Sequence, residues 1–188
     1  MAVYVLPLTN PLRVAEESAS VDQMSGGRLD FGIGRSGFAR QYKIYNIDYS
    51  ESQARFEEAV TVLRKAWSGE KFSYEGEFFQ VTDAQLVPVP VQRPHPPMRI
   101  AASSPGTFNK VAAEGLPLFV GLRGDGLEEL KGNIQVYRKM WNEMGHADDS
   151  SVFLRVPVYA AATKEAALEE PRECITHYFE RQARMIAA

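Results

Sequence analysis

Cysteine is almost missing from this 188-residue sequence, in which Cys174 stands alone. One thiol cannot close an internal disulfide, which fits a reducing compartment and a cytoplasmic protein. No His–Asp pair frames it, so it reads as a helix residue rather than a nucleophile. Histidine is also scarce, with only His95, His146 and His177. No set of His, Cys or carboxylate residues has metal-ligand spacing, so no metal is expected. Apolar runs fall far short of a bilayer span. Residues 1–30 lack the basic start and apolar stretch of a signal peptide. A net charge of −3 implies no basic face, which argues against nucleic acid and membrane surfaces as partners. Internal repeats and low-complexity segments are absent as well. What is present is 45% hydrophobic content over 188 residues. That is enough to bury a sizeable core, and the length suggests a single domain over 1–188.

The apolar pattern then sets an order of elements. AVYVL (2–6) is β-branched and aromatic, hence a strand. Asn10 caps a helix with Pro11 at its first position; that helix carries Val14, Ala15, Ala19, Val21 and Met24 and stops at Gly26-Gly27. RLDFGIG (28–34) is the second strand. Asp48 or Ser50 caps a helix bearing Phe56, Ala59, Val60, Leu63, Ala66 and Trp67 at helical spacing. Residues 71–97 interrupt the rhythm. FSYEGEFFQV suggests two short strands, and VPVPVQRPHPP is too rich in proline for a helix or a central strand. MRIAAS (98–103) and LPLFVGL (116–122) are strands around a helix at about 105–114. Leu127, Leu130, Ile134, Tyr137, Met140, Trp141 and Met144 mark a further helix face. SVFLRVPVYAA (151–161) follows as a strand, and Thr163 caps a last helical region interrupted at Pro171. Five β-α units in succession imply a parallel sheet with crossover helices. Either an open doubly wound sheet or part of a (β/α)8 barrel satisfies that order.

The stretch GIGRSG matches G-x-G-x-x-G at Gly32, Gly34 and Gly37. A dinucleotide fingerprint requires the glycine loop to open a helix at once, so that phosphate meets the helix N-terminus. Here FARQYKIYNIDY follows, aromatic and without a helical stripe. The glycines are better read as strand positions that let a neighbour approach closely. Arg35 then lies just past the strand's C-terminal end, the catalytic face of a parallel barrel. It either serves a site there or pairs with a nearby carboxylate. Tyr42 and Tyr45 either line a pocket beyond that strand or pack as ordinary aromatics.

Three segments in order, LPLTNPLRVAEESASVDQMSGGRLDFGIGRS, SESQARFEEAVTVLRKAW and PVPVQRPHPPMRIAASSPGTFNKVAAEGLP, resemble the luciferase-like flavin monooxygenases. The resemblance covers nearly the whole chain and weakens after about residue 150. It implies a partial (β/α)8 barrel of about five β/α units, with 71–97 as the excursion after the second helix. Against the family pattern, the first two units, part of the third strand and the C-terminal end are expected to be missing. The resemblance also implies a non-prolyl cis peptide near Ala2–Val3.

The implied cofactor is reduced FMN, with a deazaflavin coenzyme as the alternative used by a branch of the same fold. The implied phosphate-binding residues are Arg35, Arg55, Ser104 and Thr107. A helix N-terminus and arginine guanidinium groups are chemically suited to a phosphate. Ser104 and Thr107 can equally be simple caps, and Arg55 can pair with Glu51 or Glu58 on its own helix. His95, within RPHPP, reads as loop structure; His146 as a partner of a helix C-terminus; His177 as a helix-surface residue. The implied activity is FMN-dependent monooxygenation of a small organic substrate with dioxygen. A flavin reductase would supply the reduced flavin, and the complete form would be a dimer. No catalytic acid or base is named, since the family's first strands often contribute such residues. The competing reading is a non-catalytic flavin-binding or partner subunit of a luciferase-like heterodimer.

Overall fold

The computed structural model describes residues 3–122, 126–146 and 150–187. Ala2, and with it one side of the implied cis peptide, lies outside the described residues. Five strands, β1 (Tyr4–Val5), β2 (Phe31–Gly34), β5 (Met98–Ala101), β6 (Leu118–Gly121) and β7 (Val152–Arg155), form a parallel sheet in the order β1-β2-β5-β6-β7. The order never reverses. A doubly wound sheet needs a reversal, so that its helices cover both faces. Successive right-handed crossovers in one direction put all helices on one face, as in a barrel wall.

The strand pattern agrees. Ile33, Ile100, Leu118 and Val152 share one register level. With Phe31, Met98 and Val120 they meet the helices in one apolar cluster. α1 (Pro11–Ser25) contributes Val14, Ala15 and Ala19; α3 (Ser52–Trp67) contributes Phe56, Leu63 and Trp67. α4 (Pro105–Ala113) and α5 (Gly126–Glu143) add Phe108, Val111, Tyr137 and Trp141. The fully buried Trp67 ring meets Phe31 edge-on at 5.7 Å and donates its indole N–H to Ser18 Oγ at 3.2 Å. This joins α3 to both the sheet and α1.

The alternate strand residues Gly32, Gly34, Arg99, Ala101, Phe119 and Phe153 face the other way, toward what is a barrel interior. There Arg99 bridges across β6. Its guanidinium carbon lies 3.5 Å from the Phe153 ring centroid, and Nη2 donates to Asp30 at 2.6 Å. A compact protein of 21.0 kDa exposes roughly 9,000 Å², whereas this chain exposes 11,573 Å². Part of the excess is apolar and lies in the last third, where Leu154, Val158, Tyr159 and Leu168 are exposed.

Several elements depart from expectation. β1 is shorter than 2–6, because Pro7 turns Leu6–Leu8 into a 3-10 helix. On α1 the buried stripe runs through Val14, Ala15, Ser18, Ala19 and Asp22; Val21 and Met24 point to solvent. Leu127 and Met144 are likewise exposed on the α5 region. β7 stops at Arg155, two residues before Pro157, which cannot donate to a ladder. The excursion holds an antiparallel hairpin, β3 (Phe72–Glu75) and β4 (Gln80–Ala84). The last helical region is split at Pro171 into α6 (Lys164–Glu169) and α7 (Arg172–Ala187). Cys174 and His177 are both exposed on α7.

Candidate functional site at the C-terminal ends of β2 and β5

The parallel register pairs Ile33 with Ile100. Continuing it sets Arg35 beside Ala102, at the edge where β5 gives way to α4. Close approach at this edge needs glycine. A Cβ on Gly34 would stand 2.8 Å from Val3 Cγ1 and 3.3 Å from Ala101 Cβ.

Arg35 is half-buried and its partners are all neutral. Nη1 donates to Ser52 Oγ at 2.8 Å and to the Tyr49 hydroxyl at 3.4 Å, and the guanidinium lies 5.5 Å from the Tyr49 ring centroid. Among the described residues it has no carboxylate partner. Ser52 is the first residue of α3 and is 1% exposed. Asp48 starts this turn by accepting the Ser50 N–H at 2.8 Å, making a 3-10 helix over Tyr49–Glu51 ahead of α3.

The segment read as irregular contains a short helix, α2 (Ala39–Ile44). It buries Tyr42 completely, in an edge-on contact with Tyr49 at 5.2 Å. The Tyr42 hydroxyl donates to the Arg35 carbonyl. Burial pushes its ionisation up to about 12, although the Arg35 charge opposes the shift. Tyr42 is thus a packing residue that fixes the Arg35 backbone from below, whereas Tyr45 is 61% exposed. Tyr45 joins Tyr4, Leu8, Thr9, Gln41 and Ile44 around an open cleft of about 400 Å³ at the end of β1.

Ser104 occupies the N-cap position of α4, but its hydroxyl caps no backbone group. It lies 2.9 Å from the Thr107 hydroxyl, at an exposed helix start where Gly106 has open space around it. These two hydroxyls suit an oxyanion together with the Gly106 N–H, since Pro105 has no N–H and the Thr107 N–H donates to the Ser104 carbonyl at 2.9 Å. Arg55 is different. Its Nε donates to Glu51 at 2.8 Å and its guanidinium covers the Phe78 ring at 4.5 Å. Its charge already has a partner one turn back, in the 3-10 helix that leads into α3, whereas Arg35 has no carboxylate partner among the described residues.

The residues fit a phosphate group: a half-buried cation with neutral partners, and a helix start whose two hydroxyls bond each other rather than cap the backbone. Sequence reasoning missed Ser52 and Tyr49, which orient that cation. Ser52 could have been found as the residue three before Arg55 on the same predicted helix start. The remaining histidines are structural. His95 packs on Trp67 at 5.5 Å, and His146 lies 3.1 Å from the Ala113 carbonyl at the end of α4.

A family model for luciferase-like monooxygenases matches residues 1–187. The chain belongs to the luciferase-like monooxygenase family. It is 26% identical over 176 residues to the flavin-dependent trigonelline monooxygenase oxygenase component of Acinetobacter baylyi, covering 93% of this chain and 49% of that protein. It is 27% identical over 141 residues to the FMNH2-dependent dimethylsulfone monooxygenase of Pseudomonas putida, covering 73% of this chain and 38% of that one. The crystal structure of monooxygenase RslO1 from Streptomyces bottropensis superposes with a TM-score of 0.85 at 25% identity, over 99% of this chain and 56% of that one. This luciferase-like chain therefore spans about half or less of the length of the curated relatives it matches. The fold comparison agrees with a barrel wall, and the non-reversing strand order is its internal signature.

Proposed function

We propose that this chain carries the flavin-phosphate portion of an FMN-dependent monooxygenase that oxygenates a small organic substrate with dioxygen. The observation that carries the reading is Arg35, a half-buried guanidinium held, among the described residues, by the hydroxyls of Ser52 and Tyr49 at the C-terminal end of β2. A cation kept without a carboxylate at a barrel's catalytic edge is suited to an anionic ligand, and the guanidinium fork matches phosphate oxygens. Ser104 and Thr107 would add hydroxyl donors from the start of α4, and the Gly106 N–H and the helix dipole would add partial positive charge. Arg55 would contribute from the next helix, within the hold of Glu51 and Phe78.

A bound reduced flavin would supply the electrons that activate dioxygen. The chain's own residues bind and orient it: Arg35 as the anchor, Ser52 and Tyr49 as the groups that aim the anchor. The cleft beside Tyr45 and Tyr4 is of a size that holds small organic molecules. A separate flavin reductase is the partner suggested by relatives named as an oxygenase component and as FMNH2-dependent. The second of these names favours FMN over a deazaflavin. We read residues 1–188 as one domain of a protein that dimerises when complete, and place it in the cytoplasm on its single thiol. Among the described residues no helix is long and apolar enough to cross a membrane.

Anaerobic titration with reduced FMN and reduced riboflavin tests the proposal, because the two ligands differ only in the phosphate. The expected result is tighter binding of FMN, with Arg35→Ala removing most of the preference. Equal affinity of Arg35→Ala and the parent protein for FMN would remove Arg35 from the site. A protein that binds FMN but never supports oxygen incorporation, even with a reductase present, would favour the partner-subunit reading instead.

A further inference from the structure

Outside the phosphate edge, one side chain of α3 hydrogen-bonds the turn of the excursion hairpin. The Glu58 carboxylate accepts three consecutive backbone N–H groups of the β3–β4 turn. Oε1 takes Glu77 at 2.7 Å, and Oε2 takes Phe78 at 3.1 Å and Phe79 at 3.2 Å. The turn is shaped for this carboxylate. A Cβ on Gly76 would lie 2.2 Å from Glu58 Oε2 and 2.6 Å from the Tyr74 ring. The Gly76 N–H closes the turn on the Phe79 carbonyl at 3.0 Å. The same three N–H bonds fix where Phe78 stands, and its ring lies 4.5 Å from the Arg55 guanidinium. Arg55 precedes Glu58 by one helical turn, so latch and arginine share a helix face.

We infer that Glu58 is a positioning residue: it latches the hairpin to α3 and, through Phe78, sets Arg55 for the phosphate group. The inference rests on the proposed function for its ligand, but the latch is defined by its own contacts. Only a carboxylate offers two proton-free oxygens to three donors. In Glu58→Gln one of those oxygens becomes an NH2 group that faces backbone N–H groups and cannot accept from them. The hairpin retains Phe72 and Phe79 packed on the core, so this change frees the turn rather than the whole hairpin. Phe78→Leu makes the complementary cut. It keeps all three backbone bonds and removes the ring over Arg55.

The test reads three quantities on the full chain. These are amide hydrogen exchange at residues 77–79, the NMR resonance of the Arg55 Nε–H (assigned by its loss in Arg55→Lys), and the ratio of FMN to riboflavin affinity. Glu58→Gln is expected to speed exchange at the turn roughly tenfold or more, since charge-assisted bonds are lost. It should also shift the Arg55 resonance and lower the affinity ratio roughly threefold or more, with riboflavin affinity unchanged. Phe78→Leu should shift the resonance and lower the ratio without opening the turn. An Arg55 resonance that stays in place in both variants overturns the inference whatever happens to flavin binding. So does a faster-exchanging turn with an unchanged ratio. If Glu58→Gln does not fold, Phe78→Leu alone decides. Parent protein with no preference for FMN would overturn the functional reading instead, and the Arg55 resonance would then judge the latch by itself.

Discussion

Ser52→Ala is the most informative small change at the site. It deletes one buried oxygen and nothing else. That oxygen receives the Arg35 guanidinium at 2.8 Å, while the remaining partner, Tyr49, is at 3.4 Å. A hydrogen bond to a charged group contributes about 1.5–3 kcal/mol. Arg35 is only half-buried, so solvent screening reduces this to about 1 kcal/mol. For a chain of this size the melting temperature should fall by about 2–4 °C. The larger consequence is for the ligand. Without Ser52 the guanidinium regains rotamers that binding must freeze again, at about 0.5–1.5 kcal/mol. FMN affinity should therefore drop roughly two- to tenfold, with riboflavin affinity unchanged. Differential scanning calorimetry and paired flavin titrations measure both effects. A lower melting temperature with unchanged FMN affinity would make the Arg35–Ser52 bond purely structural. Equal losses for FMN and riboflavin would place Ser52 against some other part of the flavin.

Two further outcomes follow from the fold around the site. Gly34→Ala forces a Cβ to within 2.8 Å of Val3 Cγ1; overpacking of this kind should cost about 1–3 kcal/mol in denaturant unfolding, and an unchanged midpoint would mean that β1 moves aside freely. Asp22 is fully buried at the end of α1 and accepts the Gln92 backbone N–H at 2.9 Å and its side-chain amide at 2.7 Å. Burial alone would raise its pKa, but these hydrogen bonds outweigh burial and hold it below the usual value. A depressed folded-state pKa gives stability that is present above the unfolded value of about 3.9 and is lost as pH falls through the folded value. Asp22→Asn should thus be less stable than the parent at pH 7 and lose less on acidification below about pH 4; parallel acid-unfolding curves for the two would contradict this.

Much of the architecture was legible because each strand writes its two faces in alternation. Phe31 and Ile33 against Gly32 and Gly34, or Met98 and Ile100 against Arg99 and Ala101, already separate a helix-covered face from an interior one. The choice between barrel wall and doubly wound sheet was not legible, since strand order depends on which edge each crossover joins. Arg35 could be placed at a strand end from its neighbours. Its supports could not. Tyr42 and Tyr49 sit in a six-residue helix and a 3-10 turn, too short to show a stripe. The left-handed Ser36 ahead of α2 carries no strong turn signature in sequence, and the left-handed Asn46 after it, a residue type suited to that position, closes a helix too short to be read. Arg55 illustrates the opposite limit: its spacing to Glu51 allowed an ion pair, and only the fold added Phe78 from 23 residues further along. The Glu58 latch is equally non-local, since nothing in the α3 stripe marks a solvent-side glutamate as the acceptor for a distant turn.

The central claim is that Arg35 holds a phosphate, and phosphorus NMR of bound FMN tests it most directly. A phosphate monoester loses its second proton near pH 6. A guanidinium in contact with it favours the dianion and lowers that value. The account predicts that the phosphorus resonance of FMN bound to the parent protein stays in its dianionic position below pH 6, and that Arg35→Ala returns the titration toward that of free FMN. A bound phosphate that titrates as it does in free solution, in both parent and variant, would contradict the account.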